Sequence, residues 1–241
     1  MTIHIDFLTT RAEIYQYSKI DKAVKFLPDW YKKLPQKNYN PEHNGGVAIT
    51  MKGCIGLRDL FTKGLILPLW ADLNLSLGRA DTNFLSWQFP DSQTLATIND
   101  EKEYGSFINS RQQQHIKLVT PWCGFSKSNV GFCFVQPMWN IPQYSDTIHV
   151  LPGVIDFKSQ SGINVNLLLS RKPEDRILEL KHGMPLVHLM PLTTEKVKIK
   201  HHFVDEKELN KKIIQHGHSS VMLGFSGWST KLRRLQREKN K

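Results

Sequence analysis

Hydrophobic and polar residues alternate over Ile3-His4-Ile5-Asp6-Phe7-Leu8, the period of a strand with one buried face. The same period returns over 69–77, where Leu69, Ala71, Leu73, Leu75 and Leu77 alternate with Trp70, Asp72, Asn74 and Ser76. Shorter strands are expected at 83–89, 116–119, 130–135, 148–151, 154–156, 164–169 and 185–191. Residues 38–46 read as a polar linker, 91–110 as a loop and 121–129 as a turn. Helical signals are few. Pro28 and Asp29 open a short helix carrying Trp30, and 54–62 reads as another. Asp205 followed by Glu208 forms a capping box for a helix over 205–214, with Leu209 and Ile213 as a narrow apolar stripe. Residues 230–241 place Leu232 and Leu235 among cations, which suits either a last basic helix or a frayed end. No internal repeat is present. Many short strands joined by Gly and Pro turns predict a mainly β body, a barrel or a sandwich.

Composition narrows this picture. Six Trp, six Tyr and twelve Phe in 241 residues exclude a disordered chain, and this length can bury a core without staples. The charge adds more. The chain carries 32 Lys and Arg against 22 Asp and Glu, a net charge of +10. From Lys196 onward there are 12 basic and 4 acidic residues, so the first 195 residues are nearly neutral. The expected division is a β-rich body over 1–195 and a basic helical extension over 196–241. Such a cluster of cations allows nucleic-acid contact through the tail, although no helix-turn-helix, zinc-finger or RRM signature accompanies it.

Cys54, Cys123 and Cys133 form no Cys-x-x-Cys pair, and so sparse a set argues against a disulfide scaffold. The N-terminal residues lack the pattern of a signal peptide, and no apolar run reaches 18 residues. Synthesis in a reducing cytoplasm, with no membrane span, is the expectation.

Chemistry-bearing motifs are scarce. The chain has no P-loop, Gly-x-Gly-x-x-Gly, His-Glu-x-x-His or Gly-x-Ser-x-Gly. The pairs His201-His202 and His216 with His218 lack the Cys or carboxylate that would complete a metal site, so no metal is expected. Gly153-Val154-Ile155-Asp156 is more specific. It holds a carboxylate at a strand end, where Asp156 serves either as a general base or as the cap of a turn. In residues 15–37, lysines interleave with aromatic residues, and Lys32 and Lys33 lie on the outer side of a hook carrying Trp30. That hook either straps Trp30 onto the body or presents it to a neighbour. Trp139 and Trp228 also fall outside clean core periodicity, as docking residues do. Lys231, Arg233, Arg234 and Arg237 supply the cations of a basic arm.

The order of these segments resembles the dUTPase/dCTP-deaminase superfamily over roughly 121–191. The Gly153-Val154-Ile155-Asp156 turn, the strand after it, residues 183–191 and the preceding Gly131-Phe132-Cys133-Phe134-Val135-Gln136-Pro137 carry the likeness. The resemblance implies a β-clip-like, distorted jelly-roll barrel, usually trimeric, with sites at subunit boundaries. It departs from the family in four places, one being Gly224 to Gly227, which does not match the family's Gly-rich phosphate-covering tail. Ser159 stands at the position of the family's tyrosine, unless Phe157 takes that place by a shifted register, Met138-Trp139-Asn140 stands where Arg-Ser-Ser is expected, and His188 replaces a Gln. A looser similarity links Pro28-Asp29-Trp30, residues 64–77, Lys117-Leu118-Val119-Thr120-Pro121-Trp122 and Pro152-Gly153-Val154-Ile155-Asp156 to an uncharacterised family of tailed bacteriophages.

Together these readings give the expected function: a non-enzymatic phage structural or assembly protein. Its basic and aromatic arms would dock on neighbouring subunits, in a homotrimer or higher assembly incorporated into the virion. The alternative is a divergent dUTPase/dCTP-deaminase-like nucleotide hydrolase. It would use Asp156 with Asp72 as helper, and it alone would call for Mg²⁺.

Overall fold

The computed structural model describes residues 2–39, 42, 46–80, 82, 84–89, 95–98, 101–105, 107–109 and 112–216. Along these residues the strands are β1 (Thr2–Thr9), β2 (Asp21–Lys22), β3 (Lys37–Tyr39), β4 (Val47–Ile49), β5 (Leu65–Pro68), β6 (Leu73–Leu77), β7 (Leu85–Gln88) and β8 (Leu95–Ile98). They continue with β9 (Gln113–Ser126), β10 (Gly131–Val135), β11 (Ile148–Val150), β12 (Val154–Asp156), β13 (Gly162–Ser170), β14 (Arg176–Leu180), β15 (Pro185–Pro191) and β16 (Lys196–Phe203). Four α-helices accompany them: α1 (Ala12–Tyr17), α2 (Asp29–Lys33), α3 (Ile55–Thr62) and α4 (Glu206–Gln215).

The largest sheet runs β11-β13-β9-β1-β16, with β8 also on β9. A second runs β12-β10-β15-β5-β2, a third β14-β6-β7, and β3 pairs with β4. Among the described strands, the end strands of the two larger sheets do not pair with each other. Inward side chains of the three larger sheets share one core, including Ile5, Phe7 and Trp122 from the first, Leu65, Leu67 and Phe132 from the second, and Leu73, Leu75 and Leu178 from the third. Each such side chain contributes roughly 1.5–3 kcal/mol through the apolar surface it removes from water. Phe7 sits at the centre, edge-on to Trp122 and Phe157 and stacked on His201 at 5.9 Å. The Trp122 indole donates to the Ser18 carbonyl at 2.9 Å, which satisfies its buried N–H.

β1 departs from simple alternation at its end, where both Phe7 and Leu8 are buried. The reason is α4. Its stripe of Leu209 and Ile213 covers Leu8, Phe125 and Val204 on the other side of the sheet. The helix starts as its capping box requires, with the Asp205 carboxylate accepting the Glu208 N–H at 2.7 Å.

Several expectations need correction. Residues 113–126 form one long strand, not a short strand followed by a turn. Pro121 is tolerated because the β13 register slips between Gly162 and Asn164, opposite Cys123 and Val119. There the Thr120 hydroxyl accepts the Trp122 N–H at 3.4 Å, in place of a ladder partner. The alternation over 69–77 holds only from Leu73, since β5 ends at Pro68. Trp70, expected on the polar face, is buried and stacks on Phe89. The polar linker over 38–46 begins inside the β3–β4 hairpin, with Asn38 and Tyr39 paired to Ala48 and Val47, and the loop over 91–110 contains β8. Lys196–Phe203, assigned to the helical extension, is a strand of the body. It pairs in parallel with β1, from Thr2 opposite Lys196 to Thr9 opposite Phe203. Its inward Val197 and Ile199 pack on the core, which gives the segment a reason to join the sheet.

Candidate functional site

The carboxylate of Asp156 ends β12 and turns back on its own chain. It accepts the Lys158 N–H at 2.9 Å and faces the Ser159 hydroxyl at 3.3 Å. The Asp156 carbonyl accepts the N–H groups of Ser159 and Gln160, closing the turn. This is the bonding of a turn-capping aspartate. Phe157, one residue on, is fully buried against Phe7 and Phe132, so the ring beside Asp156 belongs to the core. Asp72 serves another turn. It accepts the His182 N–H at 2.7 Å, at the bend between β14 and β15. Both acids are thus engaged with backbone amides in separate turns.

His188 lies on β15 beneath the hook. Its Nε2 donates to the Lys63 carbonyl at 2.7 Å, and burial pushes its pKa down. Gly64, with φ of 78°, passes close to this ring. A Cβ there would stand 2.8 Å from Nε2, so glycine meets both the backbone angle and the space. His201 and His202 point to opposite faces of β16, as neighbours in a strand must. His201 donates to the Ile20 carbonyl at 2.7 Å, and His202 meets Asp6 at 2.8 Å. Among the described residues no group of three or more His, Cys, Asp or Glu could hold a metal ion. Cys123 is kept a thiol by burial, which raises its pKa to about 11.

The hook is where nominated residues meet. Tyr31 of α2 is buried against Leu57 and Phe61 of α3, and its ring meets that of Phe61 at 4.6 Å. This anchor leaves Trp30 at the rim. The Trp30 indole N–H donates to the Trp139 carbonyl at 2.9 Å, and the two indoles lie 5.8 Å apart. Trp30 is 37% and Trp139 38% exposed, so the pair is partly seated and partly presented to solvent. Asn140 fixes the joint from the other side, donating to the Phe26 carbonyl at 2.6 Å. Lys32 bonds Asp29 at 3.0 Å on the same helix, which holds the Asp29 carboxyl below its usual range, and Lys33 is exposed beside it. Met138, next to Trp139, is also exposed. The pairing of Trp30 with Trp139 joins positions 109 residues apart, so no local signal gave it.

Trp228, Lys231, Arg233, Arg234 and Arg237 lie outside the described residues. No protein-family model matches the chain, and no curated protein matches it significantly.

Proposed function

We propose that this protein is a non-enzymatic structural or assembly component that docks onto a neighbouring subunit through its aromatic hook. The tailed-phage setting, the β-clip-like architecture and a trimeric or larger assembly belong to the same proposal. It is carried by the Trp30–Trp139 pair. Two indoles, joined by the Trp30 N–H donating to the Trp139 carbonyl and each more than a third exposed, form an aromatic patch, with Trp30 on the same helix as Lys32 and Lys33. Trp is the side chain that contributes most per residue at interface centres, and a preorganised pair loses little entropy on binding. The nucleotide-hydrolase alternative gains no support from Asp156 and Asp72, since Asp156 bonds an amide of its own turn and Asp72 bonds the His182 amide across the fold.

The test is the double variant Trp30→Ala with Trp139→Ala, followed by sedimentation and by incorporation into assembled particles. Loss of assembly with an unchanged circular dichroism spectrum is expected, the size of a hot-spot loss being about 2 kcal/mol or more. Normal assembly of the folded variant would rule the hook out. Incubation with dUTP or dCTP and Mg²⁺ should release no product, and turnover that depends on Asp156 would replace this reading with the enzymatic one.

A further inference from the structure

The outward face of β1 and β16 is set by their parallel register. Thr2, His4 and Asp6 stand beside Lys196, Lys198 and Lys200, while Ile3, Ile5 and Phe7 point into the core. All three of these lysines are exposed. At one end of this face the sheet floor meets a cleft of about 380 Å³, walled by Lys127 and Ser128 after β9 and by Lys212 of α4, with His4 and Asp6 at its base. Five lysines from three elements therefore border one surface.

Their pairing sets them apart. Elsewhere Lys25, Lys63 and Lys172 lie within 2.6–3.1 Å of Asp21, Asp59 and Asp146. Among the described residues no carboxylate pairs with Lys127, Lys196, Lys198, Lys200 or Lys212. Asp6, the acid on this face, is taken by His202. Lysine on an edge strand discourages edge-to-edge pairing. That accounts for the row on β16, but not for Lys127 and Lys212 on two other elements.

We propose that this face binds the sugar–phosphate backbone of nucleic acid without reading sequence. Alternate residues of a strand are about 6.6 Å apart, so the β16 row offers evenly repeated cations to an evenly repeated polyanion. Among the described residues no exposed Phe, Tyr or Trp stands between these lysines to stack a base, which makes phosphate the main contact. An anionic bilayer fits less well, because membrane-surface binding adds inserted apolar side chains to its cations and the row has none. The site is separate from the hook and does not depend on the docking role given to it.

The experiment measures anisotropy of short labelled single-stranded and duplex oligonucleotides of arbitrary sequence, between about 50 and 200 mM salt. The full chain is compared with K127Q/K198Q/K200Q/K212Q, with the matching four-arginine variant, and with the tail variant K231Q/R233Q/R234Q/R237Q. The glutamine variant of the face should lose at least about tenfold in affinity, and its log–log salt slope should flatten by about 3, near 0.7–0.9 for each lysine. The arginine variant should retain both. Single substitutions K198Q and K212Q, each flattening the slope by about 1, give the same reading if the fourfold variant melts early. Three results would overturn the site: no binding by the full chain, loss confined to the tail variant, or tighter binding to phosphatidylserine vesicles than to either oligonucleotide.

Discussion

At Asp156 and Asp72 a carboxylate that resembles a catalytic acid in sequence is spent on backbone amides. Asp156→Ala and Asp72→Ala should each cost about 0.5–1.5 kcal/mol, the net worth of one such hydrogen bond, as read from denaturant midpoints. A carboxylate held in reserve for chemistry would instead leave stability unchanged and alter turnover. The sequence supports both readings of Asp156, because Gly-x-Ile-Asp followed by polar residues describes a strand end whether or not a substrate sits there. The closeness of the Lys158 N–H supplies the bonding that the cap reading calls for. Trp30 and Trp139 could each be singled out, as tryptophans outside any apolar period. Their contact could not, since it depends on α2 and the segment after β10 meeting across the fold.

At the scale of elements, what was legible followed from local periodicity. β1, β10, β12 and β15 each carry an apolar run or alternation bounded by turn residues, and α4 carries both its cap and its stripe. The full length of β9, and β16 as a strand, were not legible for different reasons. Pro121 signals a turn unless the partner strand slips in register beside it, and that slip is a property of β13. β16 alternates correctly, but its outward positions are lysines, so charge concealed a strand inside what looked like a basic tail. Two substitutions probe these joints. Gly124→Ala on β9 would drive a methyl group into the Phe157 ring beneath Phe7, and overpacking of that kind should cost about 1–3 kcal/mol in thermal or denaturant unfolding. Asp205→Ala removes the α4 cap and should cost about 1 kcal/mol. A loss of helical signal without global unfolding would show that α4 detaches as a unit.

For the molecule as a whole, two buried histidines, His115 and His188, and the half-buried His201 link stability to pH. Burial pushes His115, His188 and His201 below their ordinary value of 6.5, so the folded chain resists protonation where the unfolded chain accepts it. Their contribution is complete above 6.5 and is lost as pH falls from there through the lowered folded values. Unfolding midpoints should therefore drop steadily on acidification below about 6.5 and stay level just above it, and His188→Gln should make that drop shallower. The positive charge also takes on a different meaning at this scale. Part of what looked like an appendage is built into the sheet through β16, beside β1. That pairing has a consequence for synthesis. β1 lies between β9 and β16, so one edge stays open until the segment from Lys196 has left the ribosome. From the end of β9 to the end of β16, at roughly 5–20 residues per second, the interval is about 4–15 s, during which the nascent chain carries a half-built sheet with an unpaired edge. Translation stalled before that segment should yield chains that aggregate or are held by chaperones.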